Sequence, residues 1–116
     1  MRVVYVAGRL AGPDNFQISR NVRAAEDVGM EVAKLRAMPV IPHANTGLMF
    51  FGTMTEDFWY EANLELMRRC DAVVLVPGWE GSRGVALEVA EAERLGMRVF
   101  RSIPSLAEWL KEVEKR

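Results

Sequence analysis

The sequence predicts an α/β fold in which a short parallel sheet is covered by helices on both faces. Strand-like apolar runs alternate along the chain with helical stretches that carry one apolar stripe. The third run, Ala72-Val73-Val74-Leu75-Val76, is apolar throughout, as expected of a strand buried on both faces. Glycine-rich loops follow the first and third runs, where strands of such a sheet pass into their crossover helices.

Val3–Val6 reads as a buried strand that stops at Gly8. The loop Gly8–Asp14 holds Gly8, Gly12 and Pro13, so it is tight and open to close backbone approach. Asn15–Ala37 reads as a helix, because Ile18, Val22, Ala25, Val28, Val32 and Leu35 recur at three- and four-residue steps. Met38–Pro42 is too short and too proline-rich for a helix and reads as an edge-like second strand. His43–Met54 reads as a glycine-bearing loop whose apolar residues Leu48, Met49, Phe50 and Phe51 call for a cover or a partner. Thr55 fits an N-cap, with Glu56 and Asp57 in the first turn of a helix that runs to about Cys70. The strand Ala72–Val76 follows and ends at Pro77-Gly78. Beyond the loop Gly78–Gly84, a helix over Val85–Leu95 closes at Gly96. Met97–Phe100 is a fourth strand. Pro104–Glu114 is a last helix, with Ser102 or Ser105 near its start. The alternation implies right-handed crossovers. The simplest arrangement is a flavodoxin-like or Rossmann-like three-layer sandwich with a four- to five-stranded parallel sheet, order 2-1-3-4.

At 116 residues the chain reads as one domain, residues 1–116. Net charge is −1 without a large block of one sign, which argues against a nucleic-acid or membrane surface. The single cysteine, Cys70, excludes a disulfide framework and a cysteine-built zinc site. With His43 as the only histidine, a transition-metal site is not expected, and no cofactor is expected. The first residues run straight into a strand pattern, and no stretch is long enough to span a bilayer. A cytoplasmic location is the default expectation.

Ligands of open α/β sheets bind beyond the carboxyl ends of the strands, where the strand order reverses. Here that place lies between the first and third strands, flanked by Gly8–Asp14 and Pro77–Gly84. Backbone N–H groups at the second loop, with Ser82, Arg83 and Gly84, would suit a phosphate. The alternative is that the glycines only make the turn. Glu88 follows Gly84 by four residues, so one helical turn puts both on one face. By spacing alone it is equally a solvated glutamate, like Glu91 and Glu93. Tyr5, near the end of the first strand, is placed to hydrogen-bond such a carboxylate or simply to pack in the core.

The segment Pro77–Glu88 (Pro-Gly-Trp-Glu-Gly-Ser-Arg-Gly-Val-Ala-Leu-Glu), preceded by Arg-Cys-Asp-Ala-Val-Val-Leu-Val, resembles the nucleoside 2-deoxyribosyltransferase-like superfamily. Tyr5–Gly12 is similar to the first-strand motif of its small phage and bacterial branch, and so is Pro42-His43. The resemblance implies cleavage of an N-glycosidic bond by a glutamate nucleophile, with the sugar passed to another base or to water. Glu88 matches the nucleophile and Tyr5 the tyrosine that orients it. Ser82 matches a residue that contacts the sugar or its 5′ end; a serine there, beside Arg83, implies a nucleotide 5′-phosphate. The substrate-binding set implied is Gly8, Arg9, Leu10, His43, Ser82, Arg83 and Gly84. Arg9 stands where the related hydrolases have a small polar residue. Asn63 stands where the superfamily has an aspartate that helps protonate the leaving base, and an amide cannot supply that proton. The rival expectation is therefore a nucleotide-binding module without catalysis. The resemblance also implies a homodimer or higher homo-oligomer acting on a small-molecule nucleoside or nucleotide. His43 is read as a surface or capping residue ahead of a pocket-lining one, and Phe58 and Trp59 as core or subunit contacts rather than a base-stacking pair.

Overall fold

A computed structural model describes residues 1–46 and 53–114. Its elements are β1 (Val3–Ala7), α1 (Asn15–Lys34), β2 (Met38–Val40), α2 (Pro42–Thr46), α3 (Glu56–Arg68), β3 (Ala72–Leu75), α4 (Arg83–Arg94), β4 (Arg98–Phe100) and α5 (Ile103–Glu114). A 3-10 turn, Trp79–Gly81, joins β3 to α4. The four strands form an all-parallel sheet in the order β2-β1-β3-β4. This is the flavodoxin-like three-layer arrangement that the alternating pattern predicts.

Strand alternation divides the core into two layers. Val4 and Val6 of β1, Ala72 and Val74 of β3 and Phe100 of β4 meet Ala25 and Val32 of α1 and Leu106 and Leu110 of α5. Tyr5, Ala7, Val73 and Leu75 face the other way, against Leu64 and Met67 of α3 and Val85 and Ala92 of α4. Register ties the layers together, since Tyr5 lies beside Val73 and Val6 beside Val74. Full burial of each valine, leucine, methionine or phenylalanine among these contributes roughly 1.5–3 kcal/mol. At the amino edge, Asp71 Oδ2 accepts from the Val3 backbone N–H at 2.7 Å and locks β1 to the start of β3.

Several boundaries differ from the sequence reading. The first helix ends at Lys34, not Ala37, because Arg36 adopts a left-handed conformation at φ 67°. Its N–H bonds to Ala33 O and that of Ala37 to Val32 O, the paired bonds of a Schellman ending. Arg36 carries no glycine to announce that ending. Gly96, at φ 74°, makes the same closure after α4, as expected. The second strand stops at Val40, and Pro42 opens a short helix where a loop was expected. The third helix ends at Arg68 and the third strand at Leu75. The fourth helix starts two residues early, at Arg83, because Ser82 caps it by accepting from Val85 N–H at 3.3 Å. Thr55 caps α3 as predicted, accepting from Phe58 N–H at 3.1 Å. The apolar residues Leu48–Phe51 lie outside the described residues. No helix among the described residues is long and apolar enough to cross a membrane.

Candidate active site

The floor of the site is Tyr5. Its ring is fully buried under α3 and α4, and its hydroxyl donates a hydrogen bond to Glu88 Oε2. Glu88 reaches it because α4 turns Val85 and Ala92 onto the sheet, and Glu88 lies one turn beyond Val85 on the same flank. Glu88 is half-buried, whereas Glu93 on the same helix is exposed. Burial pushes the Glu88 carboxyl up to about 7, against a lesser downward pull from the Tyr5 hydrogen bond. Burial and then the neighbouring Glu88 charge hold the Tyr5 phenol far above its ordinary value, so it remains a donor. A carboxyl group that titrates near neutrality at the carboxyl edge of a parallel sheet is equipped for nucleophilic or proton-transfer chemistry.

The two glycine loops meet beside this pair. A Cβ on Gly8 would lie 2.7 Å from Val76 Cγ2, so only glycine lets the exit of β1 approach the end of β3 this closely. Gly78 turns the second loop at φ 91°. The Arg9 guanidinium crosses from the first loop to lie against Gly81 of the second, in the space a Cβ there would need. Arg9, Arg83 and Gly84 are exposed. Ser82 spends its hydroxyl oxygen on the cap of α4, which places it at the mouth of the loop. The Leu10 and Ala11 carbonyls both accept from Asn21 Nδ2 at 3.1 Å. Asn21 in turn accepts from Gln17 Nε2 at 3.0 Å. A cleft of about 260 Å³ between α1 and the loops is lined by Arg9, Gln17, Asn21, Val76, Pro77 and Gly78.

His43 is buried at the start of α2, and among the described residues neither ring nitrogen has a partner of hydrogen-bond geometry. Burial lowers its pKa, opposed weakly by the nearby Arg9 and Gly8 backbone. It therefore backs the first loop and is not joined to Glu88. Asn63 is half-buried on α3 and makes no side-chain hydrogen bond among the described residues. Tyr60, one turn earlier, escaped the sequence reading. Its ring packs on the cluster that contains Tyr5. The available signal was the stripe Tyr60, Leu64, Met67 at helical spacing. Asn21 was missed as well, because a polar residue that serves a loop ten positions away leaves no periodic trace. Among the described residues no group of three or more His, Cys, Asp or Glu is placed to hold a metal ion.

The family described as a domain of unknown function, DUF4406, matches residues 2–101. This chain belongs to that family. The DUF4406 span covers the whole sheet and so includes Tyr5, both glycine loops and Glu88; α5 lies beyond it. No curated protein matches this DUF4406 chain.

Proposed function

We propose that the protein cleaves or transfers at the N-glycosidic bond of a nucleoside or its 5′-monophosphate, with Glu88 as nucleophile. The observation that carries this reading is the hydrogen bond from buried Tyr5 to half-buried Glu88 at the strand-order switch point. A Glu88 oxygen forms a bond to the anomeric carbon as the bond from that carbon to the base nitrogen breaks. The bonding electrons leave with the base. Water or a second base then attacks the same carbon and releases the Glu88 carboxylate. Tyr5 fixes one carboxylate oxygen through its hydrogen bond and leaves the other for the attack. Arg9, Ser82 and Arg83, gathered where the two loops meet, support a 5′-phosphate site. A cytoplasmic homodimer or higher homo-oligomer belongs to the same reading, and a strict monomer at micromolar concentration would count against that part.

The test is release of free base from a panel of ribo- and deoxyribonucleosides and their monophosphates, with Glu88→Ala as control. Release that disappears in the variant supports the reading; no release from any substrate, or equal release by the variant, ends it. Asn63 favours a second reading, a nucleotide-binding module without catalysis, since its amide cannot protonate a leaving base. Calorimetric binding of a nucleotide with no turnover would select that one.

A further inference from the structure

We propose that Asn21 is a positioning residue: it clamps the first glycine loop onto α1 and so sets the Arg9 guanidinium where a substrate 5′-phosphate binds. This inference rests on the phosphate site of the reading above. Asn21 Nδ2 donates to the Leu10 and Ala11 carbonyls, both at 3.1 Å, and its Oδ1 accepts from Gln17 Nε2 at 3.0 Å. The amide donors face carbonyls and the acceptor faces a donor, so a flipped amide would set like against like. A helix interior does not favour asparagine; this one serves the loop. Gln17 lies along the same loop, since a Cβ on Gly12 would stand 2.7 Å from Gln17 Cγ. Asp14 ends the loop as the cap of α1, accepting from Gln17 N–H at 2.8 Å.

Arg9 sits between two of these ties. Gly8 fixes the loop's entry against Val76, and the Asn21 bonds begin at Leu10. Among the described residues no carboxylate pairs with the Arg9 guanidinium. Its placement is therefore set by its backbone and the walls around it, and its charge is left for an anion. Those walls include a cleft of about 260 Å³, lined by Arg9 together with Gln17, Asn21, Val76, Pro77 and Gly78. The guanidinium reaches Gly81, in the loop that carries Ser82 and Arg83. Releasing Leu10 and Ala11 from Asn21 frees Arg9 to move into the cleft, away from Gly81. Ordering a loosened arginine on binding then costs affinity for the phosphate. A nucleoside has no phosphate and is spared. The clamp also leaves Glu88 alone, because α1 packs on the face of the sheet opposite α4.

The test is calorimetry in the Glu88→Ala background, with ribo- and deoxyribonucleoside 5′-monophosphates and the matching nucleosides as ligands. Where binding is too weak for calorimetry, KM for base release by the protein with Glu88 intact gives the same comparison. Asn21→Ala suits the test because alanine favours the helix. It is expected to raise Kd for the monophosphate about fivefold or more, and Kd for the nucleoside less than about twofold. Arg9→Gln is expected to raise Kd for the monophosphate about tenfold or more. Adding Asn21→Ala to Arg9→Gln should change nothing further, because the asparagine acts through the arginine. Three results overturn the role of Asn21: an unchanged monophosphate Kd in Asn21→Ala, an equal rise for both ligands, or effects of the two substitutions that multiply. If the wild-type protein releases base from nucleosides and gains nothing from a 5′-phosphate, this inference falls while the N-glycosidic reading stands. If no ligand binds and no base is released, both fall.

Discussion

The Tyr5 phenol and the Glu88 carboxylate, 83 positions apart in sequence, share a hydrogen bond at the carboxyl edge of the sheet. Burial of Glu88 opposes its ionisation, and the phenol favours it. Burial is the larger effect, so the carboxyl titrates near neutrality and not in the ordinary acid range.

Base release should therefore rise with pH about tenfold per unit below 7 and level off above it, since only the ionised carboxylate attacks. Tyr5→Phe removes the one contribution that lowers the Glu88 pKa. The midpoint of kcat/KM against pH should then move upward, with reduced activity at pH 7. A midpoint that stays in place, or moves down, would show that the hydrogen bond does not govern ionisation.

Stability should carry the opposite signature. The folded protein holds a proton on Glu88 up to about 7, while the unfolded chain releases it near 4.5. Between those values the native state binds more protons, so the contribution is complete below 4.5 and is lost as pH rises through 7. The loss is at most roughly 3 kcal/mol. Glu88→Gln cannot ionise, so its advantage over wild type should be near zero at pH 4.5 and largest at pH 8. Urea denaturation of both proteins across that range measures it. Glu91, held down to about 2 by hydrogen bonds from Arg94 and Arg68, is common to both proteins and cancels in the difference.

Two alanine substitutions in the loops should part company. At Gly81 the new methyl meets only the tip of the flexible Arg9 side chain, so stability should change by less than about 0.5 kcal/mol. KM for a monophosphate should rise, and KM for the matching nucleoside should not. At Gly8 the methyl meets the stiff, β-branched Val76, and the cost should be about 1–3 kcal/mol. Thermal melts and substrate titrations of the two variants decide both points.

Cys70 should be a poor nucleophile. Burial, and then the charge of Asp71, push its thiol up to about 11, and the sulfur donates to Leu66 O at 3.4 Å. Iodoacetamide at pH 8 should label the folded protein far more slowly than the chain unfolded in guanidinium, by intact mass. Equal rates would contradict the burial.

Local pattern was enough for the layers and the strand order. An apolar run such as Ala72–Leu75 and a stripe such as Ala25–Val32 each announce which side they bury, and burial on both faces of a parallel sheet leaves few arrangements. Caps at Thr55 and Ser102 and the closure at Gly96 were legible for the same reason, since a cap is a contact between near neighbours. The early end of α1 was not, because Arg36 accepts a conformation that usually selects glycine. The motif around Glu88 drew attention to that residue and to Tyr5, yet Glu88, Glu91 and Glu93 look alike in a helical sequence. Folding gives them different surroundings: Glu88 meets a buried phenol, Glu91 two arginines, and Glu93 is exposed. Helical and strand periods record burial along one segment, whereas the charge state of a carboxyl depends on atoms contributed by segments far apart in the chain, and those come together only when the sheet sets its register.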